Sequence, residues 1–70
     1  MRMACLTLLV NGVQRTTTSR CVEQLLGELG LRERSVALEK NGDIVPRSRF
    51  AAEPLEDGDR LEIVSAIGGG

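Results

Sequence analysis

Leu6, Leu8 and Val10 recur at every second position, with Cys5, Thr7 and Leu9 between them. That alternation belongs to a strand with one face on a core and predicts a strand over residues 4–10. Asn11-Gly12 follows, a dipeptide suited to the tight hairpin turn in which both central residues take positive φ. The run Val13-Gln14-Arg15-Thr16-Thr17, rich in residues that favour strands, then reads as the returning strand. The period changes next: Val22, Leu25, Leu26 and Leu29 lie at i, i+3, i+4 and i+7 and form one apolar stripe of a short helix. Ser19 or Cys21 stands at its start, Glu23 suits the positive end of its dipole, and Gly30 is placed to stop it.

Arg32-Glu33-Arg34 reads as a charged, solvated connector. Val36-Ala37-Leu38 begins a third strand, Asn41-Gly42 marks a second tight turn, and Ile44-Val45 resumes an apolar run. Pro46 has no N–H to give a ladder, so that fourth strand must be short or lie at an edge. Residues 47–52 suit a helical turn with Phe50 as the local anchor. After the polar turn Glu56-Asp57-Gly58-Asp59, Leu61 and Ile63 alternate with Arg60 and Glu62 in a last strand over residues 60–67. Val64, Ala66 and Ile67 make that strand apolar on both faces and place it inside the sheet. The order β-β-α-β-β-β predicts an α+β domain, a mixed five-stranded sheet with one main helix across one face.

Composition narrows the chemistry. At 70 residues the chain is one small domain, with little room for a catalytic cleft. It contains no His, Trp or Tyr, and Phe50 is its single aromatic residue. The commonest general base and metal ligand are therefore absent, as is any platform for stacking bases. A net charge of −1 supplies no field to attract nucleic acid or an anionic membrane. Neither a signal peptide nor a membrane-length apolar run is recognisable, which leads to the expectation of a cytoplasmic protein. Cys5 and Cys21 lack metal-site spacing and read as small hydrophobes rather than a disulfide. Asp57 and Asp59 fall short of a calcium-loop pattern, so no metal site is expected. Arg47 and Arg49 read either as solvated side chains or as contacts for an acidic partner.

The chemistry that remains is at the end, Ser65-Ala66-Ile67-Gly68-Gly69-Gly70. Glycine lacks a Cβ and threads passages too narrow for a side chain. At about 3.3–3.6 Å per extended residue, three glycines would carry the carboxylate on the order of 10 Å beyond the last packed side chain. Another protein's active site could take in that length. A frayed terminus or a cloning scar gives the same three letters.

The pattern resembles the β-grasp sulfur carriers, ubiquitin-like in fold, and within them the thiamine-pathway ThiS family. The resemblance is carried by Val10-Asn11-Gly12, Cys21-Val22-Glu23-Gln24-Leu25-Leu26 and Val36-Ala37-Leu38-Glu39-Lys40-Asn41. It continues through Ile44-Val45-Pro46-Arg47 and Asp57-Gly58-Asp59 to Ile67-Gly68-Gly69-Gly70. A few extra residues precede the usual family start, and Gly68 stands where a small side chain is commoner. Molybdopterin-synthase carriers are similar but longer before the helix, and a ubiquitin-like protein modifier shares the terminal Gly-Gly.

The resemblance implies a β-grasp domain over residues 1–67 and a flexible glycine tail over 68–70. It implies a protein co-substrate rather than an enzyme, with no catalytic residue and no bound cofactor. Gly70 would be adenylated by a ThiF-like, E1-like adenylyltransferase that uses ATP and Mg, with Gly68 and Gly69 threading the partner's active site. A cysteine desulfurase or rhodanese-type donor would convert the terminus to a thiocarboxylate, and a ThiG-like thiazole synthase would receive the sulfur. A carrier that docks in several enzymes is expected to be monomeric when free, although Leu9 and Ile67 offer apolar surface for weak association.

Overall fold

The computed structural model of the chain describes residues 4–65. Ala66 and Ile67 of the expected last strand, the boundary after residue 67, and Gly68, Gly69 and Gly70 lie outside the described residues.

Strands β1 (Leu6–Val10) and β2 (Val13–Thr17) form an antiparallel hairpin in the register Leu6↔Thr17 to Val10↔Val13. Its turn has Asn11 at φ 51° and Gly12 at φ 81°, the doubly positive geometry that the dipeptide predicts. Helix α1 (Val22–Glu28) follows, with extended Cys21 as its N-cap, which settles the choice between Ser19 and Cys21. Cys21 supplies no side-chain cap. Instead, the first helical N–H groups donate to loop carbonyls, Val22 N to Glu53 O at 3.0 Å and Glu23 N to Phe50 O at 3.0 Å. Those bonds satisfy donors that a helix start leaves open. At the other end Gly30, at φ 75°, donates to Gly27 O, and Leu31 N donates to Leu26 O. This pair of bonds is the Schellman stop.

Strands β3 (Val36–Lys40) and β4 (Asp43–Val45) make the second hairpin around Asn41-Gly42. Pro46 ends β4, a 3₁₀ turn spans Arg47–Arg49, and β5 (Arg60–Ser65) completes the sheet. The sheet order is β2-β1-β5-β3-β4, with β1 and β5 parallel and the other pairs antiparallel. The α+β architecture, the edge position of β4 and the interior position of β5 are as the sequence predicts.

The core lies between α1 and one sheet face, with Leu8, Val22, Leu25, Leu38 and Leu61 each at most 1% exposed. Phe50 anchors the 3₁₀ segment into it. One expectation is corrected: β5 is interior but buries a single face. Leu61 and Ile63 point into the core, whereas Val64 is 68% exposed. The only α-helix among the described residues covers one side of the sheet, so the other side, including Leu9 and Ile44, stays open. The cysteines are free, but Cys5 is exposed and does not pack as the small hydrophobe expected.

Candidate functional site

The expected site residues Gly68, Gly69 and Gly70 lie outside the described residues, and β5 is the described strand that precedes them in the chain. β5 is paired on both edges, with β1 at Leu9↔Arg60 and Val10↔Leu61 and with β3 from Lys40↔Leu61 to Val36↔Ser65. Its first residues are fixed by the Asp-Gly-Asp turn. Asp59 is buried; its Oδ2 accepts from Glu56 N at 2.8 Å and its Oδ1 from Asn41 Nδ2 at 2.9 Å. Asn41 also exchanges bonds with Arg60, whose N–H donates to Asn41 Oδ1 at 2.9 Å and whose carbonyl accepts from Asn41 N at 2.7 Å. Thr7 N donates to Asp57 Oδ1 and Thr7 O accepts from Gly58 N, which ties the same turn to β1.

Farther along β5, Asn11 N donates to Leu61 O at 2.9 Å. The Asn11 side chain then bonds Ile63 twice: Ile63 N donates to Oδ1 at 2.7 Å and Nδ2 donates to Ile63 O at 3.0 Å. The sequence predicts the two asparagines as turn formers only. Their second role joins residues up to 52 apart, which no local pattern encodes.

On the uncovered face, Ala37, Ile44 and Val64 lie beside Glu39, Glu62 and Arg47 around an open groove of about 300 Å³. Ile44 is 77% exposed. The face combines apolar surface with charges of both signs, a composition suited to a protein partner. Of the two arginines weighed as partner contacts, Arg49 is engaged: its Nη2 donates to Glu53 Oε1 at 2.9 Å. Arg47 borders the groove.

Two carboxylates hold separate parts of the body together. Glu53 also pairs with Lys40 at 2.8 Å. The hydrogen bond from Lys40 lowers the Glu53 pKa, assisted by the Lys40 and Arg49 charges and opposed by burial. Glu28 accepts from the Thr17 and Ser19 hydroxyls. The Thr17 bond is the main cause of a lowered Glu28 pKa, with burial opposing it and Ser19 and the Arg15 charge assisting. These bonds join α1 to β2 and β3 to the loop after the 3₁₀ turn, so they read as structural. Among the described residues, no group of three or more His, Cys, Asp or Glu is placed to hold a metal ion. Nor is any helix there long and apolar enough to cross a membrane.

A mixed sheet crossed by one helix, with its last strand central between β1 and β3, defines a β-grasp domain. Comparison with known proteins gives the family: the ThiS family model matches residues 8–70, and the chain belongs to the ThiS family. It is 39% identical over 49 residues to the sulfur carrier protein ThiS of Escherichia coli, covering 70% of this chain and 74% of that one. The crystal structure of the thiamine biosynthesis protein ThiS from Geobacter metallireducens superposes with a TM-score of 0.77 at 33% identity. That match covers 93% of this chain and all of the other. The chain is also 53% identical over 64 residues to a thiazole synthase of Paramagnetospirillum magneticum. That stretch is 90% of this chain but only 20% of the relative's length.

Proposed function

We propose that the chain is a cytoplasmic sulfur carrier for thiamine biosynthesis, with Gly70 as its reacting residue. The observation that carries this reading is the extent of the family match, which runs through Gly70 and so includes the glycine terminus. The name of the E. coli relative, a sulfur carrier protein, supports the role of co-substrate rather than catalyst.

A carboxylate resists attack by sulfur because its leaving group is poor. Activation by MgATP on a ThiF-like adenylyltransferase removes that obstacle: a Gly70 carboxylate oxygen attacks the α-phosphorus and pyrophosphate leaves. The partner's metal and cationic groups supply the charge stabilisation. The terminal sulfur of a persulfide on a cysteine desulfurase or rhodanese-type donor then attacks the acyl carbon, and AMP departs with the electron pair of the broken C–O bond. Cleavage of the resulting acyl disulfide by a thiol leaves the thiocarboxylate. Gly68 and Gly69 provide the narrow passage, and the folded body, monomeric when free, provides the docking surface. A thiazole synthase is the acceptor. Support for that partner comes from the P. magneticum relative, in which the matching stretch lies within a protein named thiazole synthase.

The test is the intact mass of the protein after incubation with ATP, an adenylyltransferase of this class and a persulfide donor. Replacement of one oxygen by sulfur on the fragment containing Gly70 is the expected result. An all-oxygen terminus after complete incubation overturns the proposal, and conjugation of Gly70 to lysines of other proteins replaces it with a modifier role.

A further inference from the structure

We propose that Asn11 is a positioning residue for the carboxy-terminal segment, acting through β5. The observation is a change of partner along one edge of that strand. β1 runs beside β5 only through Val10↔Leu61, and the chain then turns away into its hairpin. A continuing parallel ladder would offer main-chain groups to Ile63. The Asn11 side chain takes their place, since its amide has the same donor and acceptor as a peptide group and uses both on Ile63, at 3.0 Å and 2.7 Å. β5 is thus held on its β1 side two residues beyond the last strand pair, Val10↔Leu61. Past that point, Val10, Asn11, Leu29, Leu31, Ile63 and Ser65 border an open groove, and among the described residues β3 alone pairs with Ser65.

This inference rests on the carrier reading. If the partner binds the body and draws in the terminus, the last residue fixed on both edges among the described residues helps to set the origin and direction from which the glycines start. Releasing Ile63 moves that origin back to Leu61 and adds freedom that must be lost again when the tail reaches the reacting atoms. Docking of the body is untouched, so the effect falls on turnover rather than on binding.

The molecule contains its own control. Asn41 occupies the equivalent position of the second hairpin, with φ 53° against 51° for Asn11, and its side chain also bonds β5, but at Arg60 where the strand begins. Glycine accepts positive φ without strain, so Asn11→Gly and Asn41→Gly each keep the turn and delete only the amide.

The experiment measures ATP–pyrophosphate exchange with a ThiF-like adenylyltransferase as a function of carrier concentration, well below each variant's Tm, together with amide hydrogen exchange of Ile63. Loss of two hydrogen bonds, each modest in net strength, predicts a fall in kcat of about tenfold for Asn11→Gly with KM changed by less than about twofold. Ile63 exchange accelerates in the same variant. Asn41→Gly keeps kcat, and Asn11→Asp, which retains an acceptor for Ile63 N but loses the donor to Ile63 O, falls between. An unchanged kcat for Asn11→Gly overturns the proposal, as does an equal loss in Asn41→Gly, which would mark a general stability effect. A wild-type protein that supports no exchange at all overturns the carrier reading itself and this role with it.

Discussion

Asp59→Ala is the substitution that most directly tests how the start of β5 is fixed. The side chain is 8% exposed and its two oxygens accept from two different elements, the Glu56 main chain at 2.8 Å and the Asn41 amide at 2.9 Å. Alanine removes both acceptors at once. Both bonds are part-buried, although Asn41 and Glu56 themselves reach the surface, so each donor regains water in part. A hydrogen bond to an ionised group contributes about 1.5–3 kcal/mol, so an expected loss of about 2–3 kcal/mol for the pair allows for that partial rehydration. For a domain of this size total stability is about 3.5–10 kcal/mol, so this one side chain accounts for a large share. The midpoint of thermal unfolding should fall by about 10–20 °C. Urea unfolding followed by circular dichroism measures the difference directly. Asp59→Asn is the discriminating companion. It keeps the volume but can face only one donor with its oxygen, leaving its NH₂ against the other, so it should recover little. Either variant within about 0.5 kcal/mol of wild type would refute the two-acceptor account, since that range belongs to uninvolved surface positions.

Glu53 and Glu28 both have folded pKa values below their ordinary 4.5, so their stabilisation is complete above that value and lost as pH falls through the lower folded values. The urea midpoint should therefore be level above pH 4.5 and decline below it, and Glu53→Gln should flatten part of that decline. At Gly42, φ is 89° and nothing lies within 4 Å of an added Cβ, so Gly42→Ala should cost only backbone strain, about 1–2 kcal/mol by denaturant unfolding. On the proposed function, Gly69→Ala should slow ATP–pyrophosphate exchange by about tenfold or more, because a Cβ would obstruct entry to the partner's active site. Its Tm should match wild type.

Legibility in the sequence followed the range of the interaction. Asn11-Gly12, Asn41-Gly42 and Gly30 are punctuation whose geometry is set by neighbours, and each lies where its dipeptide or spacing places it. The helix start was not legible in the same way. Its donors go to the carbonyls of Phe50 and Glu53, so Cys21 has no capping signature. Val64 misleads for a related reason. Apolar side chains on both faces of β5 suggest double burial, but the one α-helix among the described residues covers one face, and the surplus apolar surface is left outside. Of the proposed site, the glycine terminus is a reading of the sequence alone, drawn from composition and family resemblance, and it lies outside the described residues. The clamp of Asn11 on Ile63, and the separate bond from Asn41 to Asp59 where β5 begins, depend on which strands become neighbours and appear only when the sheet is closed.

That closure bears on how the terminus is presented. The two hairpins are local, but the pairing of β1 with β5 joins residues about 50 positions apart, as in Leu9↔Arg60. It is the contact with the largest loop entropy to overcome. It also puts the strand leading to the terminus at the sheet centre, bonded on both edges, while β2 and β4 take the frayable edges. A central strand opens only with the cooperative unit around it. Adding the long-range clamps of the two asparagines makes β5 the part of the sheet held by the most separate elements, directly before the segment expected to leave the body. On the proposed function, the terminus is handed to other proteins from a strand that stays folded. A lesion that opens β5 would reach the terminus through that strand, so variants of the terminus report on chemistry only when β5 is shown to remain closed.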